Sequence, residues 1–91
     1  MKVRLRLLNP LRQTVGASRL EIDFSGGSVE SFLIEAGKKH PKLGEAMFTK
    51  EGGIDYSINI ILNGKPLTES GMKNQVKEGD EVVLLAAAAG G

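Results

Sequence analysis

Glu81-Val82-Val83-Leu84-Leu85, near the carboxy-terminal end, is apolar at every position after its first residue. Side chains of a strand alternate between two faces, so a strand that is apolar on both belongs inside a sheet, between neighbours. The last strand of this chain is therefore expected at the centre of the sheet, and the other elements must be arranged around it. Glu78-Gly79-Asp80 reads as the turn that leads into it, and Ala86-Ala87-Ala88-Ala89-Gly90-Gly91 follows it.

Upstream, Ile58, Ile60 and Leu62 fall on one face of a strand over 56–62. Asn63-Gly64 then marks a two-residue hairpin turn, since both central residues of that turn need positive φ. Lys65-Pro66-Leu67 would return as a very short edge strand, where the missing N–H of Pro66 is tolerated. At the other end of the chain, Val3, Leu5 and Leu7 alternate with Lys2, Arg4 and Arg6. Leu20, Ile22 and Phe24 alternate in the same way with Arg19, Glu21 and Asp23. Both segments read as half-buried strands, and the short connection through Asn9-Pro10 and a turn around Gly16-Ala17-Ser18 makes them antiparallel.

Between the two strand pairs the period changes. Val29, Phe32, Leu33 and Ala36 are spaced i, i+3, i+4, i+7, the apolar stripe of a helix. Ser28 is its N-cap, Glu30 faces the positive end of its dipole, Lys38, Lys39 and His40 fill its last turn, and Pro41 is expected to stop it. Residues 41–55 read as irregular, with Gly44, Gly52 and Gly53 marking loops and Leu43, Met47 and Phe48 anchoring the stretch on the core. Residues 68–77 read as a turn or a single helical turn. The order is β-β-α-β-β-β. One sheet with the first and last strands parallel at its centre, packed by one face on a single helix, buries one core. This is an α+β, β-grasp (ubiquitin-like) mixed sheet packed on one main helix. Residues 1–85 form the β-grasp domain, and residues 86–91 a flexible carboxy-terminal tail ending in Gly-Gly.

Composition narrows the function. The chain has 91 residues, 12 basic and 11 acidic, with a net charge of +1, no cysteine and one histidine. That length suits one small domain. Without cysteine there is no disulfide framework, thiolate metal site or cysteine nucleophile, and one histidine rules out a histidine-rich metal site. The near-neutral charge argues against nonspecific nucleic-acid binding. The amino terminus alternates charged and apolar residues, unlike a signal peptide, and the longest apolar run, Val82 to Ala89, is far short of the about 20 residues that span a membrane. A soluble, cytoplasmic protein with no membrane partner is the expectation.

No constellation with a recognisable spacing suggests intrinsic catalysis. His40, beside Lys38 and Lys39, reads as a solvated cation at a helix end. Glu78, Asp80 and Glu81 are acidic residues of a turn rather than a metal site. Gly26-Gly27 and Gly52-Gly53 lack the spacing and lysine of a phosphate-binding loop. The distinctive feature is the order strand, small-residue spacer, diglycine. A diglycine end has no Cβ, so it can enter a narrow channel in another protein and present the carboxylate of Gly91 as the reacting group.

Lys2-Val3-Arg4-Leu5-Arg6, Ser28-Val29-Glu30, Ile58-Asn59-Ile60-Ile61-Leu62-Asn63-Gly64, Glu78-Gly79-Asp80-Glu81-Val82 and the ending through Gly90-Gly91 together resemble the sulfur-carrier family of molybdopterin synthase small subunits and thiamine-pathway carriers. The resemblance spans essentially the whole chain. It implies that an E1-like adenylyltransferase uses ATP to adenylate Gly91, that a sulfur donor (a sulfurtransferase or desulfurase) converts the end to a thiocarboxylate, and that a larger synthase subunit or another acceptor takes the sulfur. Ala88, Ala89 and Gly90 would lie in the partner's active site. The chain itself would hold no tight cofactor or metal and would not be an enzyme. Molybdopterin synthesis is the leading destination; cysteine or thiamine synthesis and protein modification are alternatives. The family's tails often carry prolines where this chain has Ala86 to Ala89.

Strand parity suggests where partners dock. If Val82 and Leu84 face the helix, Val83 and Leu85 face outward beside Ile61, bordered by Arg4 and Arg6, and an apolar patch rimmed by charge suits protein binding. Two other classes remain: a β-grasp interaction module whose tail does no chemistry, and a small nucleic-acid binder using Lys2, Arg4 and Arg6. The latter lacks an aromatic stacking platform.

Overall fold

The computed structural model describes residues 1–9, 11–55 and 58–86. In chain order its elements are β1 (Lys2–Leu7), α1 (Leu11–Val15), β2 (Arg19–Asp23), β3 (Gly27–Ser28), α2 (Val29–Lys39), α3 (Pro41–Met47), β4 (Ile58–Leu62), β5 (Lys65–Leu67), a 3-10 turn (Glu69–Lys73), β6 (Gln75–Val76) and β7 (Glu81–Ala86). The main sheet has the order β2-β1-β7-β4-β5. As its two-faced apolar pattern demands, β7 sits in the middle, parallel to β1 and antiparallel to β4. The fold is the β-grasp.

One face of the sheet is closed. Val3, Leu5, Leu7, Ile22, Ile60, Val82 and Leu84 are buried against Val29, Phe32, Leu33 and Ala36 of α2. Each fully buried side chain of this kind contributes roughly 1.5–3 kcal/mol over leaving it in water. Phe24 and Phe32 meet edge to face, with ring centroids 5.3 Å apart and planes at 74°. The Ser28 side chain caps α2 by accepting from the Ser31 N–H at 3.2 Å, and Lys39 ties the helix end to the Asp23 carbonyl and to Glu35 at 3.5 Å. At the β4–β5 hairpin, Asn63 and Gly64 have φ of 50° and 84°, as the two-residue turn requires.

Several elements depart from the sequence reading. Residues 41–47 form a helix, α3, rather than a loop. Pro41 does not simply end α2: His40 is the C-cap of α2, and Pro41 opens α3 at a first-turn position where its missing N–H costs nothing. Gly44, read as a loop residue, meets Gly37 of α2 where the two helices touch; a Cβ on Gly44 would lie 2.9 Å from the Gly37 carbonyl oxygen. Leu43 and Met47 are fully buried and Phe48 packs against the core. The connection between β1 and β2 holds α1, which buries Leu11. A second, two-stranded ladder, β3 with β6, joins the start of α2 to residues 75–76. The strand expected from Tyr56 is described from Ile58, and β7 runs one residue past Leu85, to Ala86, pairing there with Ile58.

Candidate functional site

The buried side chains of α1, α2 and α3 all belong to one core, and among the described residues no helix is placed on the opposite face of the sheet. Val82 and Leu84 are fully buried on the closed side, while Val83 and Leu85 alternate with them and are half-buried. Val83 is level with Ile61 on β4 and with Arg6 on β1. Ile61 is in turn level with Pro66, and Arg6 with Arg19. One row therefore crosses the whole sheet: Arg19, Arg6, Val83, Ile61, Pro66. The next row toward the start of β7 sets Glu21, Arg4 and Glu81 side by side. In the other direction Leu85 is level with Asn59. The five residues singled out by parity, Ile61, Val83, Leu85, Arg4 and Arg6, are thus brought together on one face. Helix α3 packs on α2 and α1, and Leu43, Met47 and Ile54 of the stretch 41–55 are buried in the core on the closed side.

Two neighbours were missed. Half-buried Leu8 continues the even positions of β1, and its N–H donates to the Leu84 carbonyl at 3.1 Å, which seats it beside Leu85. Arg19 completes the charged end of the row. The parity of β1 could have found Leu8; Arg19 depended on the register of β2, which no local pattern specifies.

At the far end of β7 the acidic turn is built as structure. The Glu78 carboxylate accepts from the Lys2 N–H at 2.9 Å. Asp80 accepts from the Lys77 N–H at 2.7 Å and from the Asn63 side-chain amide at 3.0 Å, and the Arg4 N–H donates to the Asp80 carbonyl at 2.9 Å. The Arg4 guanidinium reaches the Gly79 carbonyl at 3.5 Å. These bonds lock the start of β7 to β1 and to the β4–β5 turn, so the direction in which β7 points is set from both sides. Among the described residues no group of three or more His, Asp or Glu is placed to hold a metal ion. No helix among them is long and apolar enough to cross a membrane. The proposed reacting end, Gly91, and the segment Ala88, Ala89 and Gly90 lie outside the described residues.

The open face thus lies beside the last strand, which in sequence precedes Ala87-Ala88-Ala89-Gly90-Gly91. Residues 5–91 match the profile of the ThiS family. The chain belongs to the ThiS family. It is thereby one of the ubiquitin-like sulfur carriers and modifiers. No curated protein matches it. Among solved structures, this ThiS-family chain is similar to the small archaeal modifier protein 1 of Methanosarcina acetivorans, at 27% identity and TM-score 0.81 over 99% of this chain and 96% of that one. It is similar to the structure of the Amycolatopsis orientalis BexX/CysO complex, at 26% identity and TM-score 0.72 over 98% and 99% of the two chains. It is also similar to a putative molybdopterin converting factor, subunit 1, from Pyrococcus furiosus, at 25% identity and TM-score 0.69 over 92% and 94%.

Proposed function

We propose that this protein is a sulfur carrier whose Gly91 carboxylate is adenylated by an E1-like enzyme and converted to a thiocarboxylate that supplies sulfur for molybdopterin synthesis. The observation behind this reading is that the ThiS-family match runs through the diglycine to Gly91. In this reading a Gly91 carboxylate oxygen attacks the α-phosphorus of ATP held by the partner, and pyrophosphate leaves. The acyl adenylate then has a good leaving group. The terminal sulfur of a partner persulfide attacks the acyl carbon and AMP departs. A second partner thiol cleaves the S–S bond, which leaves the thiocarboxylate on the carrier and a disulfide on the partner. The carrier contributes reach, a thin end and a docking face; nucleophile, ATP site and any metal belong to its partners.

The molybdopterin destination is supported by likeness to the Pyrococcus furiosus protein. A second reading, attachment to lysines of other proteins, is favoured by the higher TM-score to the Methanosarcina acetivorans modifier. Likeness to CysO, whose structure was solved with BexX, supports docking to a partner protein and keeps cysteine synthesis as an alternative destination.

Intact-mass analysis of the protein from its native cells tests the reading. Replacement of one oxygen by sulfur at the carboxy terminus is expected. A lysine adduct would favour modification, and a terminus that neither takes up sulfur nor is activated by ATP would favour a plain interaction module.

A further inference from the structure

Three open-face pairs succeed one another along the β1–β2 ladder: Lys2 with Asp23, Arg4 with Glu21, and Arg6 with Arg19. The first two join opposite charges. Lys2 also reaches Glu21 at 3.5 Å, and Asp23 receives the terminal amine at 3.7 Å. Arg4 lies between two carboxylates, since its neighbour on β7 is Glu81. The third pair breaks the rule by setting two arginines opposite each other, an arrangement that weakens a ladder.

Among the described residues no opposite charge is paired with it, and both arginines are exposed. On its other side Arg6 meets Val83, and the row goes on through Ile61 and Pro66 with no acidic residue. The hollow between these strands is walled by Arg4, Arg6, Arg19, Glu21 and Glu81. Its Glu81 end is charge-balanced and its Arg6–Arg19 end is positive. A like-charged pair directly across a ladder costs stability, and a ligand of opposite charge would relieve it.

We propose that Arg6 and Arg19 together receive a carboxylate from the docked protein partner, an Asp or Glu side chain whose apolar neighbour covers Val83 and Ile61. The proposal rests on the reading of this face as the carrier's docking surface and adds the chemistry of its occupant. Two planar guanidiniums suit a carboxylate, which can accept paired N–H donors from each. A phosphate of nucleic acid fits less well, because the row continues into aliphatic side chains and the chain's net charge is only +1.

The test compares the wild-type chain with Arg19→Glu and with the double variant Arg6→Gln/Arg19→Gln. Two readouts are taken: thermal unfolding, and the carrier's KM in ATP–pyrophosphate exchange by the E1-like enzyme of the same organism, at low and high salt. Arg19→Glu creates an opposite-charge pair and is expected to raise Tm. Both variants are expected to raise KM about tenfold with kcat unchanged. The salt dependence of the wild-type KM should be lost in both. Should wild type be activated and the variants match its KM at both salt concentrations, the carboxylate pair is overturned and the carrier reading stands. A fall in Tm for Arg19→Glu overturns it as well, as does arginine-dependent binding of a single-stranded oligonucleotide in a parallel titration. If wild type is not activated at all, the carrier reading fails and this inference falls with it.

Discussion

The side-chain amide of Asn63 donates to the Asp80 carboxylate at 3.0 Å, while its oxygen accepts from the Glu81 N–H at 2.9 Å. A hairpin-turn residue between β4 and β5 thus also fastens the turn that launches β7. Asn63→Gly keeps the φ of 50° accessible and removes both bonds, so a loss of about 1–2 kcal/mol is expected in urea unfolding. Asn63→Ala adds the strain of a left-handed alanine and should lose about 1 kcal/mol more. Equal losses would show that the side chain alone matters.

Gly44→Ala should destabilise the fold by about 1–3 kcal/mol even though alanine favours helix. Its Cβ would sit 2.9 Å from a backbone oxygen, that of Gly37, which cannot swing away as a side-chain tip can. Gly53→Ala is the control. Its Cβ would meet only the Thr49 hydroxyl at 3.8 Å, and its effect should stay within about 0.5 kcal/mol. Thermal unfolding of the two variants decides between packing and propensity.

Adjacent residues of β7 should separate stability from partner use. Leu84, fully buried, is expected to lose about 2–5 kcal/mol on replacement by alanine. Val83→Asp, on the open face, should leave the protein folded by circular dichroism and raise the carrier's KM for adenylation. If Val83→Asp is activated as well as wild type, the open face is not the docking surface.

A chain ending at Ala89 should unfold within about 0.5 kcal/mol of the intact one, since Leu84 is the last core residue among the described ones. It is expected to accept neither nucleotide nor sulfur, measured by pyrophosphate exchange and intact mass. Activation of this shorter chain at the wild-type rate would remove Gly91 from the mechanism.

The elements that were legible in the sequence are those whose period repeats. Val82 and Leu84 against Val83 and Leu85, and Val29, Phe32, Leu33 and Ala36, each give about two full periods of a pattern, and Asn63-Gly64 names its own turn. The helix over 11–15 is too short to show a period, and β3 and β6 are two residues each, held by pairing with one another rather than by any local preference. Helix α3 was hidden because Pro41 and Gly44 read as breakers. In place, the first is a helix opener, and the second is small because another backbone touches it. On the open face, parity located Ile61, Val83 and Leu85, but the confrontation of Arg6 with Arg19 needed the register of β2, which is set by the packing of the whole connection between the strands.

The placement of β7 between two hydrogen-bonded neighbours has a mechanical consequence. Tension applied along the axis of β7 itself would load its bonds to β1 and to β4 in shear, many at once, instead of peeling them one by one as at a sheet edge. A strand held in this way resists axial tension through the bonds of both its ladders together, whereas an edge strand has one neighbour.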